Sequence, residues 1–210
     1  MKNLIALAAL IGATSLSFGQ GYVSFYNSSI SLVSVGTWPG LDFPTTVAPA
    51  GVGNYYYELL VAPTAYTTTD PSLDGWTDTG VLGESTATAG RMMGYTYTDS
   101  TGCYIPGYAA NSSANFVVFG WSADAGTTFA QAWANWDNGL PMDYAQFGIS
   151  SVATDIPLSV AGGPYNDVWG RSSVGQIQGM VLTDLVVPEP GTMALAGVGA
   201  AVLLTLRRRK

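Results

Sequence analysis

From residue 21 to residue 187 the chain is a succession of short apolar and aromatic runs, each broken by Gly, Pro, Asn or Asp. Runs of that length suit strands and leave little room for long amphipathic helices, so the pattern restricts the fold to strands joined by turns. Residues 22–27 alternate and read as a first strand, with 30–35 pairing to it after the Asn27-Ser28-Ser29 turn. Residues 55–62 form a stronger strand ended by Pro63, and Met93, Tyr95 and Tyr97 alternate with small or polar neighbours. Residues 115–122 are apolar on both faces and suit a central strand; 147–153 and 176–187 complete the set. Turn-rich connections between these runs predict an all-β fold, an antiparallel sandwich or jelly roll. Residues 36–53, with Pro39, Pro44, Pro49 and four Gly, predict a long surface loop.

One segment departs from this period. Phe129, Ala132, Trp133 and Trp136 recur at the spacing of one helix face. Thr127 or Thr128 is placed to cap the start, and Asn138-Gly139 with Pro141 to end it. The expectation is one short helix over an open face or end of the strands.

Charge excludes several functions. Of seven basic residues, Lys2 lies at one end and Arg207, Arg208, Arg209 and Lys210 at the other. Between them stand Arg91 and Arg171, against thirteen of the fourteen acidic residues, Glu189 being the other. Two cations cannot neutralise a phosphate backbone, so nucleic acid is not an expected partner. The absence of His removes Ser-His-Asp and Cys-His catalysis and the commonest zinc ligand, and the single Cys103 rules out an internal disulfide.

The two ends carry the most specific signals. Residues 1–20 combine Lys2, an uncharged apolar stretch from Leu4 to Leu16, and the small-residue punctuation Ser17-Phe18-Gly19, the plan of a secretory signal peptide cleaved after Gly19 or Gln20. At the other end, Pro188-Glu189-Pro190 precedes a stretch from Thr192 to Leu206 without charge, then Arg207, Arg208, Arg209 and Lys210. As a helix that stretch spans about 22 Å at 1.5 Å per residue, short against a hydrocarbon core of about 30 Å. The four cations stay cytoplasmic, and the paired prolines keep the preceding peptide extended, as a membrane protease requires. A permanent single-pass anchor is the alternative.

Pro188, Glu189 and Pro190, the short apolar helix and the cationic end together resemble the PEP-CTERM sorting tail of Gram-negative bacteria, over about the last two dozen residues. The resemblance implies a precursor with a C-terminal transmembrane helix, processing by an exosortase after signal peptidase, and association with exopolysaccharide. The divisions that follow are a signal peptide (1–20), a secreted β-rich domain (21–187) and a sorting tail (188–210). The expected product is exported, transiently anchored in the inner membrane, then placed at the cell surface or outside the cell.

For the domain itself, a non-enzymatic surface or matrix role is the first reading, and no cofactor or metal is expected. A carbohydrate-binding role is the second, because flat aromatic rings stack on sugar faces. Trp38, Trp76 and Trp169, in turn-like stretches, are the candidates for exposed rings, against the simpler role of packing. A glycoside hydrolase is third, needing two carboxylates at a set separation, for which Glu58 and Glu84 are the candidates. Asp70, Asp74 and Asp78, and separately Asp137, Asn138 and Asp143, form loops of either solvated acids or calcium ligands, the former favoured. Cys103 lacks a cationic neighbour and is expected to be an inert, semi-buried thiol.

Overall fold

In the computed structural model, residues 19–36, 45–94, 102–137, 145–170 and 175–184 are described. The strands are β1 (Gln20–Ser24), β2 (Val33–Gly36), β3 (Thr46–Val47), β4 (Tyr55–Ala62), β5 (Thr77–Ser85), β6 (Met92–Gly94), β7 (Gly102–Ala109) and β8 (Ser113–Ser122), then, after the helix α1 (Phe129–Asp137), β9 (Gln146–Ile149), β10 (Ala153–Pro157) and β11 (Met180–Asp184). The fold is all-β with one short α-helix. Nine strands form one sheet in the order β3-β2-β11-β9-β8-β4-β5-β6, with β10 also paired to β8, and β1 and β7 form a separate two-stranded sheet.

The division between sheets is therefore unequal, and one pairing, β2 with β11, is parallel. The expected partnership of 30–35 with the first strand is not formed. β1 pairs with β7, which turn-like Gly102, Pro106 and Gly107 had hidden, and β2 joins β3 and β11 instead. β5 was also missed, because Gly80 and Gly83 interrupt its apolar pattern. In β6 Met92 and Gly94 are buried, and Met93 is 52% exposed; Tyr95 and Tyr97 lie outside the described residues. Within the expected loop 36–53, Thr46 and Val47 form a strand and Ala48 is buried, while 37–44 lie outside the described residues.

β4 and β8 pair along their full length at the centre of the large sheet. Their alternation divides the interior in two. Tyr57, Leu59, Val61, Phe116 and Val118 pack with Val23 and Ile105 of the two-stranded sheet. On the opposite face Leu60, Val117, Phe119 and Trp121 pack under α1. Phe119 centres this second core: the rings of Trp121, Phe129, Trp133, Trp136 and Phe147 lie 5.6–6.1 Å from it. The three contacts from α1 are edge-on, the arrangement favoured by ring quadrupoles. Thr128 caps α1 by accepting the Gln131 amide at 3.3 Å, and Gln131 Oε1 accepts the Thr127 amide at 3.1 Å.

The two ends of the large sheet meet at a seam. The Val33 amide donates to Gly90 O, Gly90 N to Ala48 O, and Ala48 N to Val33 O. Gly90 has φ +68°, and a Cβ there would lie 2.6 Å from Val47 Cγ1, so both conformation and space require glycine. Beside it, fully buried Asn27 uses all its hydrogen-bonding capacity. Its Nδ2 donates to Ser31 O (3.0 Å) and Gly90 O (2.7 Å). Its Oδ1 accepts from Met92 N (2.9 Å) and Arg91 Nε (3.2 Å). Replacing Asn27 with Leu leaves these backbone groups unpaired in the interior. Denaturant unfolding is expected to show a loss of about 3–5 kcal/mol, whereas exposed Ser29→Ala changes stability by less than about 0.5 kcal/mol.

Candidate functional site

Where α1 meets the loop leading into β5, a cleft of about 220 Å³ opens, lined by Leu60, Ser72, Leu73, Trp76, Asp78, Phe129 and Trp133. The loop that walls it is pinned from several sides. Buried Asn115 of β8 donates to Thr64 O (3.1 Å) and Tyr66 O (2.8 Å) and accepts the Asp155 amide at 2.8 Å. Trp76 donates its indole N–H to Thr68 O at 3.0 Å and meets the Tyr66 ring edge-on at 5.6 Å. Trp136 of α1 donates to Pro71 O at 2.9 Å, tying the helix to the loop. The polar ends of Trp76 and Trp136 are thus satisfied internally, which holds the Trp76 ring beside the cleft with part of its surface in solvent.

Below the cleft, the register of β4 against β5 shifts between Leu59 and Leu60. The Thr79 hydroxyl donates to Leu59 O at 2.6 Å, Gly80 takes φ +69°, and its amide donates to Asp78 Oδ1 at 2.7 Å. This bulge brings the Asp78 carboxylate beside Glu58. Glu58 projects toward the α1 side, is 2% exposed, and its Oε1 has no hydrogen-bond partner. Burial first, then the neighbouring Asp78, push its carboxyl up to about 9; the amides of Gly80 and Val81 act in the opposite sense but more weakly. Glu58 is therefore a neutral acid at pH 7.

The structure sorts the residues expected from sequence. Trp76 lies at the cleft. Trp169 is not the exposed ring expected: it is 1% exposed within the main core, drawn in where Gly170 N donates to Ile177 O (2.7 Å) and Ile177 N to Val168 O (3.1 Å). Trp38 lies outside the described residues, as do Asn138, Asp143 and Arg171. Glu84 stands opposite Tyr56 and so diagonal to Glu58 across β4 and β5. Glu58, however, is closed off from solvent, where a general acid needs access to its substrate.

Asp70 accepts from the amide and hydroxyl of Ser72, which hold its carboxyl below the usual range. Among the described residues, no three His, Cys, Asp or Glu side chains gather closely enough to hold a metal ion. Cys103 is fully buried rather than half-buried, and burial pushes its thiol up to about 12. Sequence reasoning missed Trp133 and Asp78 as cleft residues, having placed them in a helix core face and an acidic loop. It also missed the row formed by Tyr104, Tyr22 and Tyr165, with ring separations of 6.1 and 5.9 Å, on the two-stranded sheet.

Residues 186–210 match the family model of the PEP-CTERM protein-sorting motif. The chain thus carries the sorting tail that Pro188, Glu189, Pro190 and the terminal Arg cluster announced, which marks it for export and for membrane-associated processing by an exosortase. It is an exported all-β protein with a C-terminal sorting motif. No curated protein and no solved structure matches it significantly. The tail and the expected leader up to Phe18 lie outside the described residues, and among the described residues no helix is long and apolar enough to cross a membrane.

The buried carboxyl has a measurable consequence. Unfolded, Glu58 ionises near 4.5; folded, it keeps its proton to about 9. Between those values the folded state binds the extra proton, so this group's contribution to stability declines as pH rises through the window. Glu58→Gln retains an acceptor for the bulge amides and cannot ionise. Its stability relative to the parent is expected to increase by about 1–3 kcal/mol from pH 5 to pH 8, read by thermal unfolding at several pH values. Parallel curves for the two proteins contradict the assignment.

Proposed function

We propose that the protein is a non-enzymatic component of the cell surface or extracellular matrix. The sorting motif at 186–210 is the observation that carries this reading. The uncharged apolar stretch at 192–206 anchors the precursor in the inner membrane, with Arg207, Arg208, Arg209 and Lys210 on the cytoplasmic side. Exosortase cleavage near Pro188-Glu189-Pro190 then frees the β-rich domain. The domain's own chemistry agrees with a passive role, because Glu58, the one strongly perturbed carboxyl among the described residues, is closed off from solvent.

A second reading is favoured by the cleft between α1 and β5. Trp76 and Trp133 beside Asp78 and Ser72 combine flat apolar rings with hydrogen-bonding groups, the chemistry that recognises a neutral sugar. Its volume is small against the ~300–1,000 Å³ of ordinary ligand pockets, which fits contact with one sugar unit of an exopolysaccharide.

Mass spectrometry of protein recovered outside the producing cells is expected to show a chain that lacks the terminal Arg cluster. An intact Arg208 in that material overturns the processing. Affinity electrophoresis against the producer's polysaccharide tests the second reading: retardation is expected, reduced in Trp76→Ala, and unretarded parent protein removes the binding claim.

A further inference from the structure

We propose that Arg91 anchors a second binding site, at the seam of the large sheet, for a sugar ring bearing a carboxylate, a uronate. Arg91 is the sole cation among the described residues, and it forms no ion pair with a described carboxylate. This is notable in a chain of net charge −7. Its side chain is held at the root, Nε donating at 3.2 Å to Oδ1 of the fully buried Asn27. That bond fixes the plane of the guanidinium, and the outer nitrogens retain donors in the fork that matches a carboxylate in bidentate fashion. Pre-fixing the fork lowers the entropy lost when an anion is held.

The surroundings supply the rest of a sugar's chemistry. On one side of Arg91 a recess of about 260 Å³ is walled by Tyr26, Thr86, Thr88, Met92 and Met93. On the other, a recess of about 360 Å³ is walled by Ser28, Ser29 and Ile30. Exposed Met93 and the Tyr26 ring offer apolar surface to the C–H face of a ring, and the Thr88 and Ser29 hydroxyls offer partners to sugar hydroxyls. An inorganic anion would use the guanidinium and leave this apolar wall unused. The acidic surface opposes anions at long range, but salt screens that field beyond about 8 Å, leaving the short-range fork and recess to select the ligand. The site shares no residue with the Trp76–Trp133 cleft, so each stands or falls separately.

The test is an NMR titration of the full chain in detergent micelles with sodium glucuronate, glucose and sodium sulfate, following the Arg91 Nε–H and Tyr26 ring signals. Saturable shifts are expected with glucuronate, with at least about tenfold weaker response to glucose, which lacks the charge, and to sulfate, which lacks the ring. Arg91→Met is expected to abolish the response. Because that variant also loses the bond to Asn27, Tyr26→Ala serves as a companion that keeps the seam bond and is expected to weaken glucuronate alone. No saturable shift in the parent protein, or equal responses to all three probes, overturns the proposal. A polyuronate that competes with glucuronate at the same signals identifies a polysaccharide source, and failure to compete limits the site to the free sugar acid.

Discussion

The architecture depends on the closure of one large sheet around Asn27. A nine-stranded sheet with free ends would present two rows of unpaired backbone groups, which invite pairing with other chains. Here one end is met by the segment that follows β1: Gly94 N donates to Phe25 O at 2.7 Å and Asn27 N to Met92 O at 3.3 Å. The other end is tied through Gly90 to Val33 and Ala48. Asn27 lies between the two, and its four side-chain bonds join Ser31, Gly90, Arg91 and Met92 into one unit. A buried amide satisfied on every side specifies a single arrangement, whereas a partly satisfied one would be worse than an apolar residue.

With the ends held, the centre of the sheet can be apolar on both faces. β8 is buried from Ala114 to Ser122, which requires cover on each side. The β1–β7 sheet covers one face, and α1 with the loop before β5 covers the other. Phe119 sets the geometry of the second cover, since rings from α1, β8 and β9 all converge on it. The cleft is the place where this aromatic cover stops short of Asp78, so its walls are extensions of the core and inherit its rigidity.

Local signals were legible in the sequence, and pairings were not. The period of Phe129, Ala132, Trp133 and Trp136 gave α1, and unbroken apolar runs located β4 and β8, because each rests on neighbours along the chain. β1 was legible as a strand, but its partner lies some eighty residues away in β7, where Gly102, Pro106 and Gly107 resemble a turn. The parallel contact of β2 with β11, which pairs Val33 with Met180, is more remote still in sequence. The candidate site follows the same division. Trp76 was singled out, whereas Trp133 and Asp78 join it only because α1 crosses the sheet at the β5 bulge. Trp169 shows the converse: a turn-like sequence, Val168-Trp169-Gly170, is pulled inward by backbone bonds to Ile177 that no local pattern announces.

Two buried polar groups of this fold behave differently, and the contrast separates scaffold from liability. Asn27 has every donor and acceptor matched, so its burial strengthens the seam. Glu58 has one oxygen without a partner and a carboxylate beside it, so its burial is tolerable only in the neutral form. The bulge gives it polar company: Thr79 and Gly80 leave the β4–β5 ladder at this point, Asp78 Oδ1 accepts the Gly80 amide and Thr79 Oγ1 the Val81 amide, and the Glu58 carboxyl stands beside both amides as a further acceptor. A Leu at position 58 would match the apolar environment of Phe119 and Leu60 but would remove the further acceptor beside those amides. Glu58 is thus enclosed within the sheet, whereas polar and aromatic groups reach solvent together at the Trp76 cleft and around Arg91.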